Sequence, residues 1–292
     1  MISYNPQDWY SFIFKFHKSD TTRRLFPVML AVGLYSWLVA WLEIEVWQLS
    51  DDSHLHNVSI MHTLLGFVIS FLLVFRTNTA YERWWEGRKL WGSLVNNSRN
   101  LAMKLSVMLP EGHPDRDFFR TAIPAYAEVL KDHLGDEATR IDLFDNLPEE
   151  VQLRLDRSKH MPNQMAALMY RHIGQLHQEG ILNTEQLLSI NGELLSFTDI
   201  CGACERIRNT PIPYSYSSFI RKFLFVYFIT LPLGFVFELG YLVVPIVVFI
   251  FYVLASLEII AEEIEEPFGD DENDLPLAKI VHNLKAHIHE LI

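Results

Sequence analysis

The sequence is poor in cysteine and in basic side chains, and several common enzyme motifs are absent from it. Its two cysteines, Cys201 and Cys204, exclude a disulfide scaffold and form only half of a zinc-site spacing, so we interpret them as helix-packing residues. The 24 Lys and Arg are outnumbered by 36 Asp and Glu, and the net charge of -12 argues against a nucleic-acid partner, because phosphate binding needs a basic face. No GxSxG, Walker, HExxH or dinucleotide motif is present, so we predict that the protein is not an enzyme and requires no cofactor.

Hydrophobic residues, in contrast, make up 50% of the chain, while charged residues make up 21%. The mean hydropathy of +0.11 is high for an ordinary soluble domain, and disordered or fibrous chains cannot bury this much apolar surface. No alternating strand pattern and no internal repeat are visible in the sequence. This composition predicts an all-α membrane protein with a substantial water-facing part.

Four apolar stretches approach the length of about 20 residues that a membrane-spanning helix requires. They lie at residues 25–41, 59–75, 223–237 and 241–257. We therefore predict four transmembrane helices and divide the chain into five segments. These are a cytoplasmic N-terminal segment (1–24), the first two spans (25–76), a helical cytoplasmic region (77–217), the last two spans (218–262) and an acidic cytoplasmic C-terminal segment (263–292).

The basic residues predict how the chain is oriented in the membrane. Lys and Arg flank the predicted spans on one side, whereas the loop at 43–58 contains neither. The positive-inside rule then places both termini and the long middle segment in the cytoplasm. Residues 1–24 do not resemble a signal peptide, because charges interrupt their aromatic residues and no cleavage site follows. We expect a multi-pass protein of the inner (plasma) membrane.

The middle segment shows the three- and four-residue spacing of packed helices. No proline interrupts residues 59–109, so the second span is predicted to continue into the cytoplasm as one long helix. Thr184 is a candidate N-cap for the last of the further helices. These helices are predicted at 118–134, 148–155, 163–178 and 183–207.

Three phenylalanines, Phe67, Phe71 and Phe75, recur at every fourth residue of the second span. At about 100° per residue they form one aromatic ridge along the helix. The pattern alone leaves two interpretations open. The ridge could contact lipid or another helix, or it could form a hydrophobic constriction that gates ions around an oligomer axis.

The segment after the last span is strongly acidic, and residues 258–274 include no Lys or Arg. A turn at 267–270 could bring Asp271 and Asp274 together as oxygen ligands of a hard cation such as Ca²⁺. The alternative is a solvated acidic turn that pairs with basic residues elsewhere in the chain. The spacing does not match an EF-hand loop.

Together these features resemble the bestrophin family of ion channels, including its bacterial members. The agreement in order and spacing extends over nearly the whole chain. The residues that carry the resemblance are the ridge Phe67, Phe71 and Phe75, the segment Arg76, Asn78, Arg83, Trp84, Glu86, Arg88, Trp91 and Gly92, the stretch IPYSYSS at 212–218 behind Cys201 and Gly202, and EEPFGDDEND at 265–274.

The resemblance implies a homopentamer of four-span subunits, with a helical cytoplasmic region and one axial pore. It also implies that the second helix lines a narrow neck into which Phe67, Phe71 and Phe75 project. Because aromatic rings present a positive edge, such a neck could favour chloride or similar small anions. The partners would be other copies of the chain, membrane lipid and the permeant ions.

Two positions depart from the family pattern. In calcium-activated relatives the acidic run is almost unbroken, whereas Asn273 interrupts it here between Asp271 and Asp274, which leaves calcium binding open. Relatives also place a small apolar side chain at a cytoplasmic aperture. The resemblance puts Glu185 near that position, where a ring of five carboxylates would favour cations.

The leading hypothesis is a passive pentameric channel for chloride or similar anions. A cation-selective channel of the same family is the first alternative, because of Glu185 and the net acidity. A secondary transporter, with helices broken at Pro232 and Pro245, is the second. The third is a membrane anchor whose cytoplasmic helices dock a partner.

Overall fold

The computed structural model describes residues 21–48, 58–135, 156 and 158–292, and the regular structure of these residues is helical. A helical architecture without strands in this described part confirms the predicted all-α class. In chain order the α-helices are α1 (Thr21–Trp41), α2 (Val58–Met108), α3 (Pro114–Leu134), α4 (Met161–Gln178), α5 (Thr184–Asn209), α6 (Tyr214–Leu239), α7 (Val243–Glu265) and α8 (Leu277–Leu291).

The contacts divide the chain into two compact units. The span unit comprises the described residues up to Glu82 together with Pro211–Glu265. The bundle unit comprises Arg83–Thr210 together with Glu266–Ile292. Helix α2 contributes its N-terminal part to the span unit and its C-terminal part to the bundle unit.

Within the described residues, three helical stretches are long and apolar enough to cross a membrane: Thr21–Val46, Ser59–Met108 and Thr184–Glu265. The third stretch joins several successive helices, including α6 and α7. Gly240, whose φ of +53° most side chains avoid, begins the short 3₁₀ turn between these two helices. The predicted number of four spans counts α6 and α7 separately and stays a prediction.

The span unit is held together by apolar contacts between its own helices. Helix α7 packs along α1 and α6, and α2 contributes Ile69 and Leu73 to the shared core. Large apolar side chains such as Leu34, Phe225 and Phe249 remain on the outside of this unit. An apolar surface around an apolar core is typical of helices that lie in lipid.

The bundle unit has a separate core around the C-terminal part of α2. Trp91, Tyr126 and Phe197 are fully buried in it. The rings of Tyr126 and Phe197 stack with centroids 4.9 Å apart, and the Tyr126 hydroxyl donates a hydrogen bond of 2.7 Å to the Phe197 carbonyl oxygen. Cys201 and Cys204 are free and buried on α5 in this same core.

The long-helix prediction is confirmed, because α2 runs without a break over 51 residues. Helix α3 begins four residues before its predicted start, since the His113 side chain caps it by accepting a hydrogen bond from the Asp115 backbone N–H. Pro114 then occupies the first helical position, where its missing N–H costs nothing. The predicted helix at 148–155 lies outside the described residues.

The predicted N-cap of α5 is wrong by one residue. Asn183, not Thr184, is the cap: its side-chain oxygen accepts a hydrogen bond of 2.8 Å from the Gln186 N–H. The Gln186 side chain accepts one of 2.9 Å from the Asn183 N–H in return. This reciprocal pair is a capping box, and it satisfies two backbone donors that a Thr184 cap one residue later would leave unpaired.

Candidate functional site

Phe67, Phe71 and Phe75 lie along the exposed face of α2 in the span unit, with 70%, 55% and 51% of their surfaces accessible. The rings of Phe67 and Phe71 are nearly parallel, with centroids 6.3 Å apart. Those of Phe71 and Phe75 meet edge to face at 4.6 Å. The structure thus brings the three predicted residues together as one continuous aromatic surface, which we call the phenylalanine ridge.

The opposite face of α2 fixes the direction in which the ridge points. Ile69 and Leu73 are buried against the other helices of the span unit. At Gly66 helix α6 approaches closely, because a Cβ atom there would lie 2.9 Å from the Tyr227 hydroxyl. The Tyr216 hydroxyl also donates a hydrogen bond of 3.2 Å to the Leu72 carbonyl oxygen. These contacts hold one side of α2, so the ridge side remains free for water, lipid or another copy of the chain.

The ridge itself bears no charged group, although a basic residue follows it directly. Arg76 is nine residues after Phe67, which corresponds to a rotation of about 180° around the helix. Its side chain is accordingly turned inward, 1% exposed, and its Nη2 lies 2.6 Å from Glu265 Oε2. Glu258 Oε2 is 3.7 Å from Arg76 Nε, and Arg221 pairs with the other oxygen of Glu258. Arg76 is therefore neutralised by carboxylates instead of lining the ridge.

The basic and aromatic segment after the second span has structural partners within the bundle unit. Arg83 donates hydrogen bonds of 2.5 Å to the Ile207 and Thr210 carbonyl oxygens at the end of α5. These are carbonyl groups that a helix end cannot pair by itself. Trp84 Nε1 donates a hydrogen bond of 3.1 Å to the Asn273 carbonyl oxygen in the acidic turn. The segment thus supports α5 and the acidic turn.

The acidic turn is organised around Asp274, which is 2% exposed. One carboxylate oxygen, Oδ2, accepts a hydrogen bond of 2.6 Å from the Asp271 backbone N–H. The other, Oδ1, is buried and has no hydrogen-bond partner among the described residues. Burial is the main cause that raises the pKa of Asp274 to about 7; the carboxylates of Asp271 and Glu266 contribute to this rise, whereas the backbone hydrogen bond opposes it.

Asp271 and Asp274 differ in their surroundings, because the Asp271 residue is exposed. A cavity of about 410 Å³ borders both residues and also contains Asp132 of α3. Asp132 is buried, its Oδ1 lies 3.1 Å from Lys131 Nζ, and its Oδ2 is unpaired among the described residues. An unpaired buried carboxylate oxygen on each of Asp132 and Asp274 fits a cation better than an anion.

Glu185 lies in the first turn of α5 and is exposed. A carboxylate at a helix N-terminus interacts favourably with the helix dipole, so this position is also explained by local structure. Its predicted place at an aperture remains a prediction.

One cluster of possible ligands was not predicted from the sequence. His133, His160 and Glu205 have side-chain nitrogen and oxygen atoms within 4.8 Å of one another. These residues come from three different helix regions of the bundle unit, and no local spacing connects them. Within the described part of the chain this is the group of three His, Cys, Asp or Glu residues that could hold a metal ion.

Comparison with known proteins identifies the family. Residues 1–290 match the family described as Bacterial/Fungal Bestrophin protein. A voltage-dependent anion channel-forming protein of Nostoc sp. is 37% identical over 244 residues, which cover 80% of each chain. A protein of the same description from Salmonella typhi is 31% identical over 291 residues, or 100% of this chain and 94% of the relative.

The fold comparison agrees with the sequence comparison. A crystal structure of a mutated bacterial bestrophin homologue from Klebsiella pneumoniae matches this chain with a TM-score of 0.83 and 29% identity, over 92% of this chain and 99% of that chain. The relatives are named as channel-forming proteins and bestrophins, which confirms the predicted family and the prediction that the protein is not an enzyme. With its apolar helices, the protein is a membrane protein. The chain belongs to the bacterial and fungal bestrophin family.

Proposed function

We propose that this protein is an ion channel that conducts chloride or similar small anions past the phenylalanine ridge. The observation that carries the proposal is the exposure of Phe67, Phe71 and Phe75 on a helix whose other face is buried in the span unit. Relatives over most of the chain are named voltage-dependent anion channel-forming proteins. A role in conduction would explain why three aromatic side chains share this exposed face, whereas contact with lipid requires only that the face be apolar.

The chemistry of the ridge favours anions without a fixed positive charge. An aromatic ring has a negative face and a positive edge, so ring edges that point into a narrow path attract an anion. The ring planes of Phe71 and Phe75 are nearly perpendicular, so where one ring turns its face to the path the other can turn its edge. The apolar surface also penalises strongly hydrated ions, because they must lose water to pass.

One ridge cannot enclose a path, and we propose that five copies of the chain surround one axis in the inner membrane. The exposed face of α2 continues before the ridge with Ile60 and Leu64, and Val74 lies beside the ridge. This apolar strip can serve both as the wall of the path and as a contact between neighbouring copies. Lipid would cover the remaining apolar surface, and both termini would lie in the cytoplasm.

We also propose that the acidic turn can bind a divalent cation such as Ca²⁺. Support comes from the unpaired, buried Oδ1 of Asp274 and from the neighbouring carboxylates at the same cavity. Ca²⁺ prefers several oxygen ligands. The turn supplies carboxylate oxygens and contains no Lys or Arg to neutralise them. Calorimetric titration of Ca²⁺ into wild type and Asp274→Asn tests the proposal, and equal heats from the two proteins would contradict it.

The experiment that tests conduction is a reversal-potential measurement in planar bilayers under an asymmetric KCl gradient. Wild type, Phe71→Ala and Phe249→Ala are compared, because Phe249 is a phenylalanine on α7 that is at least as exposed as Phe71. We expect reversal near the chloride equilibrium potential, with a shift in Phe71→Ala and none in the Phe249→Ala control. A protein without conductance, or an equal shift in both variants, would contradict the proposed role of the ridge.

A cation-selective channel is the second candidate, favoured by the exposed carboxylate of Glu185. Reversal near the potassium equilibrium potential, moved toward chloride by Glu185→Gln, would establish it. The transporter hypothesis has less support, because α6 continues through Pro232 and Pro245 lies in the first turn of α7, so neither proline breaks a helix. A transporter with a midplane site would have helices that are interrupted near the middle of the membrane.

A further inference from the structure

The group of His133, His160 and Glu205 has the chemistry of a transition-metal site. His133 Nε2 and His160 Nε2 each lie 2.6 Å from the same oxygen, Glu205 Oε1. The two imidazole rings are tilted, with centroids 4.5 Å apart. Three potential ligand atoms, two nitrogen and one oxygen, thus converge on one small volume. All three side chains are partly exposed, so an ion could enter from water.

Three elements of the bundle unit place these ligands. His133 lies in the last turn of α3, and His160 is the residue that caps α4. Glu205 lies in the C-terminal half of α5. The backbone around the group is fixed as well, because Arg208 Nη1 donates a hydrogen bond of 2.6 Å to the His133 carbonyl oxygen. A ligand set that joins three elements is held by the fold and needs little reorganisation.

The ligand types select the kind of ion. Imidazole nitrogens suit Zn²⁺ and its neighbours in the transition series, whereas Ca²⁺ and Mg²⁺ prefer sites made of oxygen alone. Two histidines and one glutamate are a known ligand combination for Zn²⁺, with a fourth position left to water. At metal–ligand distances of about 2.0–2.2 Å, tetrahedral ligands lie about 3.4 Å from each other. The present separations of 2.6 Å are hydrogen-bond lengths. Binding an ion would therefore require each nitrogen and the Glu205 oxygen to move apart by about 0.8 Å.

The metal-free arrangement also indicates what would change when an ion binds. His160 Nδ1 accepts a long hydrogen bond of 3.2 Å from the Asn163 backbone N–H, so its Nε2 carries the proton and donates to Glu205. Coordination through Nε2 displaces this proton and favours the tautomer protonated at Nδ1, which cannot cap α4. Metal binding is therefore coupled to the cap of α4 through one imidazole ring.

We propose that His133, His160 and Glu205 form a binding site for one transition-metal dication per chain, with Zn²⁺ as the representative ion. This site is separate in chemistry from the acidic turn, and the proposal does not depend on ion conduction. The ion would join the end of α3, the start of α4 and α5 in place of two hydrogen bonds to one carboxylate oxygen.

The test is a competition titration of Zn²⁺ against a chromophoric chelator, with chelator-stripped full-length protein in detergent. Glu205→Gln keeps a hydrogen-bond acceptor, and His160→Ser keeps a side chain that can cap α4, so both variants remove a ligand with little loss of local structure. His282→Ala removes an exposed histidine on α8 and is the control. We expect one Zn²⁺ per chain in wild type and control, and at least tenfold weaker binding in the two ligand variants. Equal affinities in all four proteins, or no binding by wild type, would overturn the site.

X-ray absorption of the Zn²⁺-loaded wild type gives a test that does not rely on variants. A first shell of nitrogen and oxygen at about 2.0–2.2 Å with imidazole scattering is expected. Sulfur at about 2.3 Å would show that the ion is bound by Cys201 or Cys204 and would overturn the proposal.

Discussion

Arg76 Nη2 lies 2.6 Å from Glu265 Oε2, and the arginine side chain is almost completely withdrawn from solvent. Glu265 is further fixed because its Oε1 accepts a hydrogen bond of 2.7 Å from the Ile212 backbone N–H. Arg76, the basic residue directly after the phenylalanine ridge on α2, is thus buried and paired with a carboxylate of α7. This pair explains why the positive charge at the end of the second span does not lie on the ridge.

Breaking this pair should destabilise the protein strongly. Arg76→Met leaves Glu265 without its buried counter-charge, and we expect a loss of about 3–5 kcal/mol in the free energy of unfolding. The double variant Arg76→Met/Glu265→Gln should recover much of this loss, because position 265 is then uncharged, Glu258 keeps its Arg221 partner and Gln can still accept from Ile212. Equilibrium unfolding of the purified proteins in detergent measures both. A double variant as unstable as the sum of the single variants would show that the two residues are not coupled.

Gly87 should not tolerate a methyl group. A Cβ atom there would lie 3.0 Å from the Phe268 ring and 3.2 Å from Pro267, and both of these residues begin the acidic turn. We expect Gly87→Ala to lower stability by about 1–3 kcal/mol, because the buried ring must move. Gly174→Ala is the matched control, since a Cβ atom there meets nothing within 4 Å and should stabilise α4 by about 0.5–1 kcal/mol. Opposite signs in thermal unfolding are the expected result.

The capping box of α5 gives a second pair of matched substitutions. Asn183→Ala removes a side-chain acceptor from the Gln186 N–H and should cost about 1 kcal/mol. Thr184→Ala affects an exposed residue in the first turn and should change stability by less than about 0.5 kcal/mol. Denaturant unfolding distinguishes the two, and a larger effect at Thr184 would restore the cap predicted from the sequence.

Asp132 should make stability depend on pH. Burial raises its pKa to about 6, although Lys131 lowers it in part, whereas the ordinary value is 3.8. The folded protein therefore binds the Asp132 proton more tightly than the unfolded chain, so this contribution to stability is complete below about pH 4 and is lost as the pH rises through about 6. Asp132→Asn lacks this dependence and should be more stable than wild type by about 1–3 kcal/mol at pH 7.

The control for Asp132 is Asp199→Asn, which makes the same change at an exposed position. Its unfolding profile between pH 4 and pH 7 should follow that of wild type. If Asp132→Asn also follows wild type over this range, the buried carboxylate does not titrate as described.

Much of the local structure could be predicted from the sequence, because it depends on neighbours along the chain. The absence of proline after Ser59 and the repeat of apolar residues predicted the long helix α2, and the four-residue spacing of Phe67, Phe71 and Phe75 predicted the ridge. Helix ends were less accurate, since a cap is chosen by individual hydrogen bonds. Asn183 and Thr184 are both good capping residues, and only the bond to the Gln186 N–H distinguishes them.

The sequence by itself determined the helical class, the apolar character and the residues that line one face of α2, because the helical period converts spacing into direction. Only the tertiary structure decided which distant residues meet. Trp84 and Asn273 are 189 positions apart, and His133, His160 and Glu205 come from three helix regions. Such contacts depend on how whole helices pack. Many apolar side chains drive this packing, and one sequence does not show which of them contact each other. For that reason the charge pairs and the candidate metal site became visible only in the folded chain.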